Sequence, residues 1–421
     1  MQEEFLHYIW KYKRFNQLNL VTESGQSLNI LSPGQHNHDS GPDFFNAKII
    51  IGDQVWAGNI EIHVKSSDWF KHNHQFDLAY DSVILHVVWD NDADVKRNNG
   101  ALIETVQLKN NVDNQLLTQY KGLMNSRSWI NCEKDFKEVD SFVLENWLER
   151  LYIERVDQKS RSLDKLLNQN QNNWEHVLFI SLFRSFGLKI NADAFESCAR
   201  SIDFSVIQKT RSDPKDLESL FFGQFGLLDQ NVKDTYFLEL KERYNYLSHK
   251  FKILRTGVIP LKWSRLRPGN FPTIRIAQFS QVLSKKSNLF SILMSSKILE
   301  DFYTVFDVST SSYWDNHYNF GTASNASNKR LTPEFVNLLI INAISPIKFL
   351  YFKSIGQLNF NDVLSILAEI PFERNSVTSR FKKLKPLPEN AISSQGLLQL
   401  KGQYCDNNAC LSCAIAHHLI L

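Results

Sequence analysis

The chain has 421 residues, a length that predicts two or three domains at ~150 residues each. Hydrophobic residues make up 43% and charged residues 22%, which excludes a disordered chain, a coiled coil and a collagen-like repeat. There are 47 Lys and Arg against 45 Asp and Glu, so the formal net charge is only +2, which argues against a dedicated nucleic-acid-binding protein. We find no signal peptide and no apolar run of ~18 residues, and therefore expect a cytoplasmic protein without membrane association.

The predicted elements change in character along the chain. A short amphipathic helix is predicted within residues 1–20, and helical periodicity returns from about residue 140 onward. Between them, runs of β-branched and aromatic residues separated by turns predict strands at Phe44–Ile51, Val55–Val64, Val83–Trp89 and Leu102–Leu108. We predict an α+β fold with a small mixed α/β domain at residues 1–135 and a mainly α-helical domain at 136–421.

Histidines and acids are concentrated in the predicted strand region. Six of the twelve histidines lie between His36 and His86, and residues 36–94 contain ten acids but three bases. Residues i and i+2 of a strand share a face, so Glu61, His63 and Lys65 should point the same way. That face is either the solvent side of an antiparallel strand or part of a metal site. His86 lies inside an apolar run, which is typical of a core histidine.

The order of these elements resembles the core of the PD-(D/E)xK nucleases, the restriction-endonuclease-like superfamily. Pro42-Asp43 begins one strand, and the next strand ends in Glu61-Ile62-His63-Val64-Lys65. The resemblance implies that Asp43 and Glu61 hold Mg²⁺ or Mn²⁺, and that Lys65 or His63 activates or orients the attacking water. The family has Lys two residues after the Glu, whereas His63 stands there in this sequence.

A second interpretation of the same region is a metal-binding β-barrel of the cupin type. His36 and His38, followed by Asp43, loosely resemble its first histidine motif, although the second motif is missing. His36 and His38 are therefore further candidate metal ligands. This interpretation implies a metalloenzyme that acts on a small molecule.

Three of the five cysteines form the pattern Cys405-x4-Cys410-x2-Cys413. Thiolates at this spacing favour Zn or an Fe–S cluster, and Cys132 is the best candidate for a fourth ligand, with His417 or His418 as alternatives. The arrangement resembles the iron–sulfur staple of some helicase-associated nucleases, although there the single Cys precedes the nuclease motifs. The other interpretation is a set of reduced thiols without a metal.

The positive charge is segregated as well. No Asp or Glu occurs between Glu242 and Glu300, a stretch of 57 residues with eleven bases. Its centre reads KWSRLRPGNFPTIR, whose Pro and Gly residues predict an irregular loop. The stretch is either a solvated face that pairs with acidic helices or a track for a phosphate backbone. For the second case, the candidate nucleic-acid-binding residues are Lys262, Arg265, Arg267 and Arg275.

Five segments of the sequence occur in this order along the chain: SGPDFFNAKI, WAGNIEIHVKSSDW, AYDSVILHVVW, RLRPGNFPTIRIAQ and CDNNACLSCAIAHHL. They resemble the bacterial domain-of-unknown-function family 2851 over essentially the whole chain, which implies no particular activity. From the residues we predict a metal-dependent nuclease or nucleic-acid-processing protein. The alternatives are a non-catalytic nucleic-acid or protein scaffold and a small-molecule metalloenzyme.

Overall fold

The protein is described from a computed structural model, which covers residues 2–37, 39–357 and 359–420. The chain forms two compact units, one of residues up to Trp147 together with those from Leu400 onward, and one of residues Leu148–Gln399. The first unit carries a mixed sheet and the second is mainly helical, which confirms the predicted α+β fold. The predicted division at residue 135 placed the C-terminal cysteines with the helices, whereas they lie in the first unit.

The first unit is built on a mixed β-sheet with the strand order β1-β3-β4-β5-β6, and β2 pairs with β3 at its start. The pairs β1/β3 and β3/β4 are antiparallel, whereas β4/β5 and β5/β6 are parallel. The elements are α1 (Glu3–Lys11), β1 (Leu28–Ser32), β2 (Gln35–His36), β3 (Phe44–Ile51), β4 (Gln54–Lys65), α2 (Asp68–Lys71), β5 (Val83–Asp90), β6 (Thr105–Gln107), α3 (Asn114–Met124), the start of α4 (Ser141–Gln169) and the C-terminal helix α18 (Ala414–Ile420).

Apolar periodicity explains how this unit is assembled. Strand β5 is buried from Val83 to Val88 and therefore reads as a continuous apolar run, as expected of a strand between two parallel neighbours. Helix α1 buries Phe5, Ile9 and Trp10 in the same core and contacts β4. The pairing of Phe44 with Ile60 then brings the start of β3 beside the C-terminal half of β4.

The close approach of β4 to β5 requires a glycine at position 58. A Cβ atom there would lie 2.4 Å from Ile84 Cγ2 and 2.7 Å from the carbonyl oxygen of Ser82. We expect Gly58→Ala to lower the free energy of unfolding by about 2–3 kcal/mol, since the backbone of Ser82 cannot rotate away. Urea unfolding measures this. Gly122→Ala in α3, where the Cβ meets no atom within 4 Å, should instead be neutral or slightly stabilising.

The second unit continues α4 and adds helices α5 to α17 with a small hairpin. Its elements are α5 (Trp174–Phe186), α6 (Leu188–Ser201), α7 (Phe204–Thr210), α8 (Pro214–Gln224), α9 (Thr235–Phe251), α10 (Pro272–Lys285), α11 (Leu289–Ser295), α12 (Leu299–Val305), β7 (His317–Asn319), β8 (Thr322–Ala323), α13 (Pro333–Leu339), α14 (Ser345–Ser354), α15 (Phe360–Glu369), α16 (Ser376–Leu384) and α17 (Ala391–Gln399). The helical segment Pro333–Ser354 has the length and composition of a membrane span, but 72% of its apolar window is buried inside the protein, as in a core helix.

Candidate metal centre

Two carboxylates are fixed to each other where β3 begins beside β4. The backbone N–H of Asp43 donates to Glu61 Oε2 at 3.2 Å, and the backbone N–H of Ile62 donates to Asp43 Oδ2 at 2.9 Å. Each carboxylate is thus anchored by the other residue's strand. Glu61 is only 4% exposed, and burial together with the charge of Asp43 raises the pKa of Glu61 well above its usual range.

Helix α1 adds a third acid and an imidazole to this site. Glu3 and His7 are one turn apart, and His7 Nε2 lies 3.3 Å from Asp43 Oδ2 and 4.0 Å from Glu3 Oε1. Burial and the negative charge of Asp43 raise the pKa of Glu3 to about 7. Burial disfavours the charged form of His7, but the hydrogen bond and the charge of Asp43 outweigh it and raise the His7 pKa. Three carboxyl groups thus lie close together, and burial with their mutual proximity favours the protonated forms of Glu3 and Glu61 in the metal-free site.

Four imidazoles lie beside the carboxylates. His63 Nδ1 is 2.8 Å from His86 Nε2, and His63 Nε2 is 3.1 Å from His72 Nδ1. Glu61 Oε1 lies 3.6 Å from His63 Nε2 and 3.2 Å from His74 Nε2. One ligand nitrogen each of His63, His72 and His74 falls within 4.8 Å of the other two. Carboxylate and imidazole nitrogen atoms thus converge on one small volume.

The buried imidazoles of this group are neutral at physiological pH. Burial, and then the neighbouring imidazoles, lower the pKa of His63 to about 2. The same causes lower the pKa of His86 to about 3 and that of His74 to about 4. A metal ligand must offer a lone pair, and a neutral imidazole does so without first losing a proton. His72 is the exposed member of the group.

His86 and an aromatic wall fix the orientation of these rings. If His63 donates its Nδ1 proton to His86 Nε2, the lone pair of His63 Nε2 faces Glu61. Trp69 packs edge-on against both His74 and His86, and the ring of Tyr80 stacks on His74 at 3.8 Å. His74 Nε2 is buried and makes no hydrogen bond among the described residues, although Glu61 is close. A buried nitrogen without a hydrogen-bond partner, close to a carboxylate, fits a ligand of a divalent cation.

The donor set indicates which cations suit the site. Two or three carboxylates alone would favour a hard ion such as Mg²⁺, but adjacent neutral imidazoles favour Mn²⁺, Fe²⁺ or Zn²⁺. The residues that could hold the ion are Asp43, Glu61, His63 and His74. Ionised Glu61, which is unfavourable in the metal-free site because of burial, would be stabilised beside a cation.

We expect His86→Leu to weaken metal binding without removing a ligand. The substitution removes the hydrogen-bond partner of His63 Nδ1, so nothing fixes the tautomer and orientation of the His63 ring from that side. The expected loss of Mn²⁺ affinity is about 10- to 100-fold. Isothermal titration calorimetry measures it, with His249→Leu, at an exposed position of the second unit, as the control.

The structure brings three of the four predicted catalytic residues together: Asp43, Glu61 and His63. Lys65, the fourth, is exposed at the end of β4, and its charge acts on Asp92 instead. His36 is half-buried beside the site, with its ring stacked on Phe44 at 4.8 Å and 5.2 Å from the ring of His7. His38 lies outside the described residues.

Five residues of the site were not predicted from the sequence: Glu3, His7, His72, His74 and His86. Glu3 and His7 carried a weak signal, because an acid and an imidazole one turn apart on an amphipathic helix share a face. His72 and His74 lie in irregular turns without a repeating period. His86 was expected to be a core histidine, and it is fully buried, but its ring contacts His63.

The four predicted metal-ligating cysteines also converge, at a different place in the first unit. Cys132, Cys405, Cys410 and Cys413 line one small cavity, and none of them forms a disulfide. His417 and His418, the alternative fourth ligands, are engaged elsewhere. His417 Nε2 is 2.6 Å from the carbonyl oxygen of Leu411, and His418 Nε2 accepts from the N–H of Asp140. Cys132 is therefore the residue that completes the set.

The predicted nucleic-acid-binding residues divide into two groups. Lys262, Arg265 and Arg267 are exposed in the irregular segment that precedes α10, as the sequence predicted for a loop. Arg275, in contrast, is 8% exposed inside α10, where its guanidinium lies 3.6 Å from the centre of the Phe335 ring and bonds to Gln278. Arg275 is a core residue and cannot contact a phosphate backbone at the surface.

Other bases of the acid-free stretch are paired with acids from neighbouring helices. Arg243 contacts Asp213 and Asp216 at 2.7 and 2.6 Å, and Arg255 pairs with Asp229. These acids lie outside the acid-free stretch, so the stretch has an unbalanced positive charge when its sequence is considered alone. The charge available to a polyanion is therefore smaller than the sequence predicted.

The sheet order and the site define an α+β protein with a buried carboxylate–histidine cluster. The chain belongs to the family described as "Protein of unknown function (DUF2851)", whose profile matches residues 3–376. The matched region includes the whole carboxylate–histidine cluster and Cys132, but ends before Cys405. No curated protein and no solved structure matches the chain.

Proposed function

We propose that the protein is a metal-dependent nuclease whose centre is formed by Asp43, Glu61, His63 and His74. The observation that carries the proposal is the pair of hydrogen bonds that fixes Asp43 and Glu61 to each other, where the start of β3 lies beside the C-terminal half of β4. It occurs within the element order helix, three antiparallel strands, helical crossover and parallel strand. The part of this order that suggested a PD-(D/E)xK nuclease core from the sequence runs from the strand of Asp43 through the hairpin and the strand of Glu61 to the helical crossover and the next strand.

The residues have distinct roles in this proposal. Asp43 and Glu61 supply the carboxylate ligands, while His63 and His74 supply neutral nitrogens. When bound, a divalent cation such as Mn²⁺ activates water and neutralises charge on the phosphate. His72, exposed and 3.1 Å from His63, is placed to take a proton from the site to solvent. His63 is a neutral imidazole with a single ring proton, because its pKa is so low. It therefore acts as a ligand rather than the general base.

Cleavage assays test this proposal. The purified full chain is incubated with labelled single- and double-stranded DNA and with RNA in the presence of Mn²⁺. We expect cleavage by the wild type and a loss of at least about 100-fold in Asp43→Asn, equivalent to roughly 3 kcal/mol of transition-state stabilisation. Asp53→Asn, at the exposed β3–β4 turn, is the matched control and should cleave normally. Equal cleavage by wild type and Asp43→Asn would rule the nuclease out.

A second candidate function is a metalloenzyme that acts on a small molecule. The grouping of His63, His72 and His74 favours it, since three nitrogen ligands are typical of catalytic Zn²⁺. It predicts a metal that stays bound through purification, together with no cleavage of any polynucleotide. The nuclease predicts Mn²⁺-dependent cleavage instead, so elemental analysis combined with the cleavage assay separates the two.

Nucleic acid is the partner that the nuclease requires. The exposed bases Lys262, Arg265 and Arg267 are the candidates for contact with phosphate. In a binding titration, each lost phosphate contact should reduce the slope of log affinity against log salt by about 0.7–0.9. We expect Arg265→Ala and Arg267→Ala to do this, whereas Arg275→Ala should lower stability without changing the slope.

A further inference from the structure

We propose that Cys132, Cys405, Cys410 and Cys413 bind an iron–sulfur cluster through four thiolates. This site is separate from the carboxylate–histidine cluster and does not depend on the proposed nuclease activity. The proposal rests on where the four sulfur atoms lie, what surrounds them and how the three C-terminal cysteines are spaced.

The first observation is the convergence of the thiols from two distant parts of the chain. All four cysteines line one small cavity, whose remaining walls include Ile130, Leu400, Tyr404 and Ile415. Cys410 and Cys413 are buried, and Cys132 and Cys405 are half-buried. Four thiols from two distant parts of the chain therefore line the same small cavity.

The second observation is a set of hydrogen-bond donors aimed at the sulfur atoms. Asn131 Nδ2 donates to Cys410 Sγ at 3.4 Å. The backbone N–H groups of Ile415 and Ala416 bond to Cys413. Donors of this kind stabilise thiolate rather than thiol, and they orient metal ligands in many thiolate sites.

The third observation favours a cluster over a single zinc ion. In a ZnS₄ tetrahedron with bonds of ~2.3 Å, the sulfur atoms lie ~3.8 Å apart. In the part of the chain that the structure describes, three ligand atoms lie within 4.8 Å of one another at His63, His72 and His74, and not among the cysteines. The sulfur atoms are thus spread more widely than one zinc ion requires.

The spacing of the cysteines agrees with this choice. The pattern Cys405-x4-Cys410-x2-Cys413 with a fourth, distant Cys is that of plant-type [2Fe–2S] proteins, with the fourth ligand here before the other three. Binding would release four thiol protons to solvent and change no oxidation state of the protein. The cluster would tie the segment after Leu400 to the segment that follows α3.

The test is the metal and sulfide content of the full chain purified without oxygen. We expect iron and acid-labile sulfide in equal amounts, with visible absorption from the cluster. Cys132→Ser and Cys405→Ser should lose at least 10-fold in both iron and absorption. Cys198→Ala, which removes a buried thiol of the second unit, should retain them, and so should Glu61→Gln. Loss of nuclease activity with an intact cluster would affect only the proposed function.

Two results would overturn the inference. One zinc ion per chain, lost in Cys132→Ser, would exclude the cluster, and the absence of any metal at the cysteines would exclude the site. A chelator experiment covers variants that do not fold: wild-type protein should lose its colour and melt at a lower temperature, and iron with sulfide should restore both. Unchanged melting after the colour is lost would show that the cluster does not tie the two segments together.

Discussion

Glu61→Gln should abolish metal-dependent cleavage and, in the metal-free protein, increase stability at alkaline pH. Glu61 is buried beside Asp43, so its pKa is raised in the folded protein relative to the unfolded chain. A carboxyl group whose pKa is raised in the folded state stabilises the folded protein most at low pH. That stabilisation is lost as the pH rises above the ordinary carboxyl range. Glutamine keeps the shape of the side chain but never ionises.

The expected gain in the free energy of unfolding is on the order of 2 kcal/mol at pH 8 and close to zero at pH 4. Urea unfolding in the presence of EDTA at both pH values measures it, and Asp53→Asn, an exposed carboxylate of the same hairpin, serves as control. If Glu61→Gln is as stable as the wild type at pH 8, then the carboxyl group is not held against its tendency to ionise, and the site is more open than the structure shows.

Metal-free protein should also lose stability steeply as the pH falls below about 6.5. His63, His74 and His86 have folded-state pKa values of about 2, 4 and 3, all below that of an imidazole in the unfolded chain. A base with a lowered pKa contributes stability above its unfolded pKa, and this is lost as the pH falls toward the folded value. The unfolded chain takes up protons that the buried imidazoles cannot.

The imidazole contribution lost between pH 6.5 and pH 4 should be at least about 4 kcal/mol, even though mutual repulsion makes the three groups non-additive. Glu3 and Glu61, whose raised pKa values favour the folded state at low pH, offset part of that loss. His86→Gln removes one titrating group but keeps a polar partner for His63, so it should flatten the acid limb of the stability profile. His249→Gln, at an exposed position, should leave it unchanged. An acid limb that is equally steep in His86→Gln and wild type would contradict burial of neutral imidazoles.

Strand periodicity predicted the core of the candidate site because β4 follows a two-residue repeat. Glu61 and His63 are both buried on the face that the sequence assigned to them, and the hairpin register places Asp43 beside Glu61. The same repeat misjudged Lys65. Strand β4 extends as far as Lys65, but the elements that bury Glu61 and His63 do not cover this end of the strand. The Lys65 side chain is therefore exposed. A period defines a face, whereas burial depends on what packs over it.

The remaining parts of the site depend on contacts that no local pattern encodes. His7 reaches Asp43 only because α1 docks against β4, and His72 and His74 are placed by irregular turns between α2 and β5. The same limit applies to the acid-free stretch, where Arg243 and Arg255 find acids from other helices. The cysteine spacing was readable locally, but the choice of Cys132 over His417 or His418 required the tertiary structure.

Calorimetric titration of Mn²⁺ into the metal-free protein at pH 7.5 tests the central claim most directly, namely that Asp43, Glu61, His63 and His74 form a divalent-metal site. The cysteine site is kept constant by comparing variants that retain all five cysteines. We predict saturable binding by the wild type and by Asp53→Asn, and a loss of at least about 10-fold in affinity in both Glu61→Gln and His74→Leu. No binding by the wild type, or equal affinity in all four proteins, would contradict it.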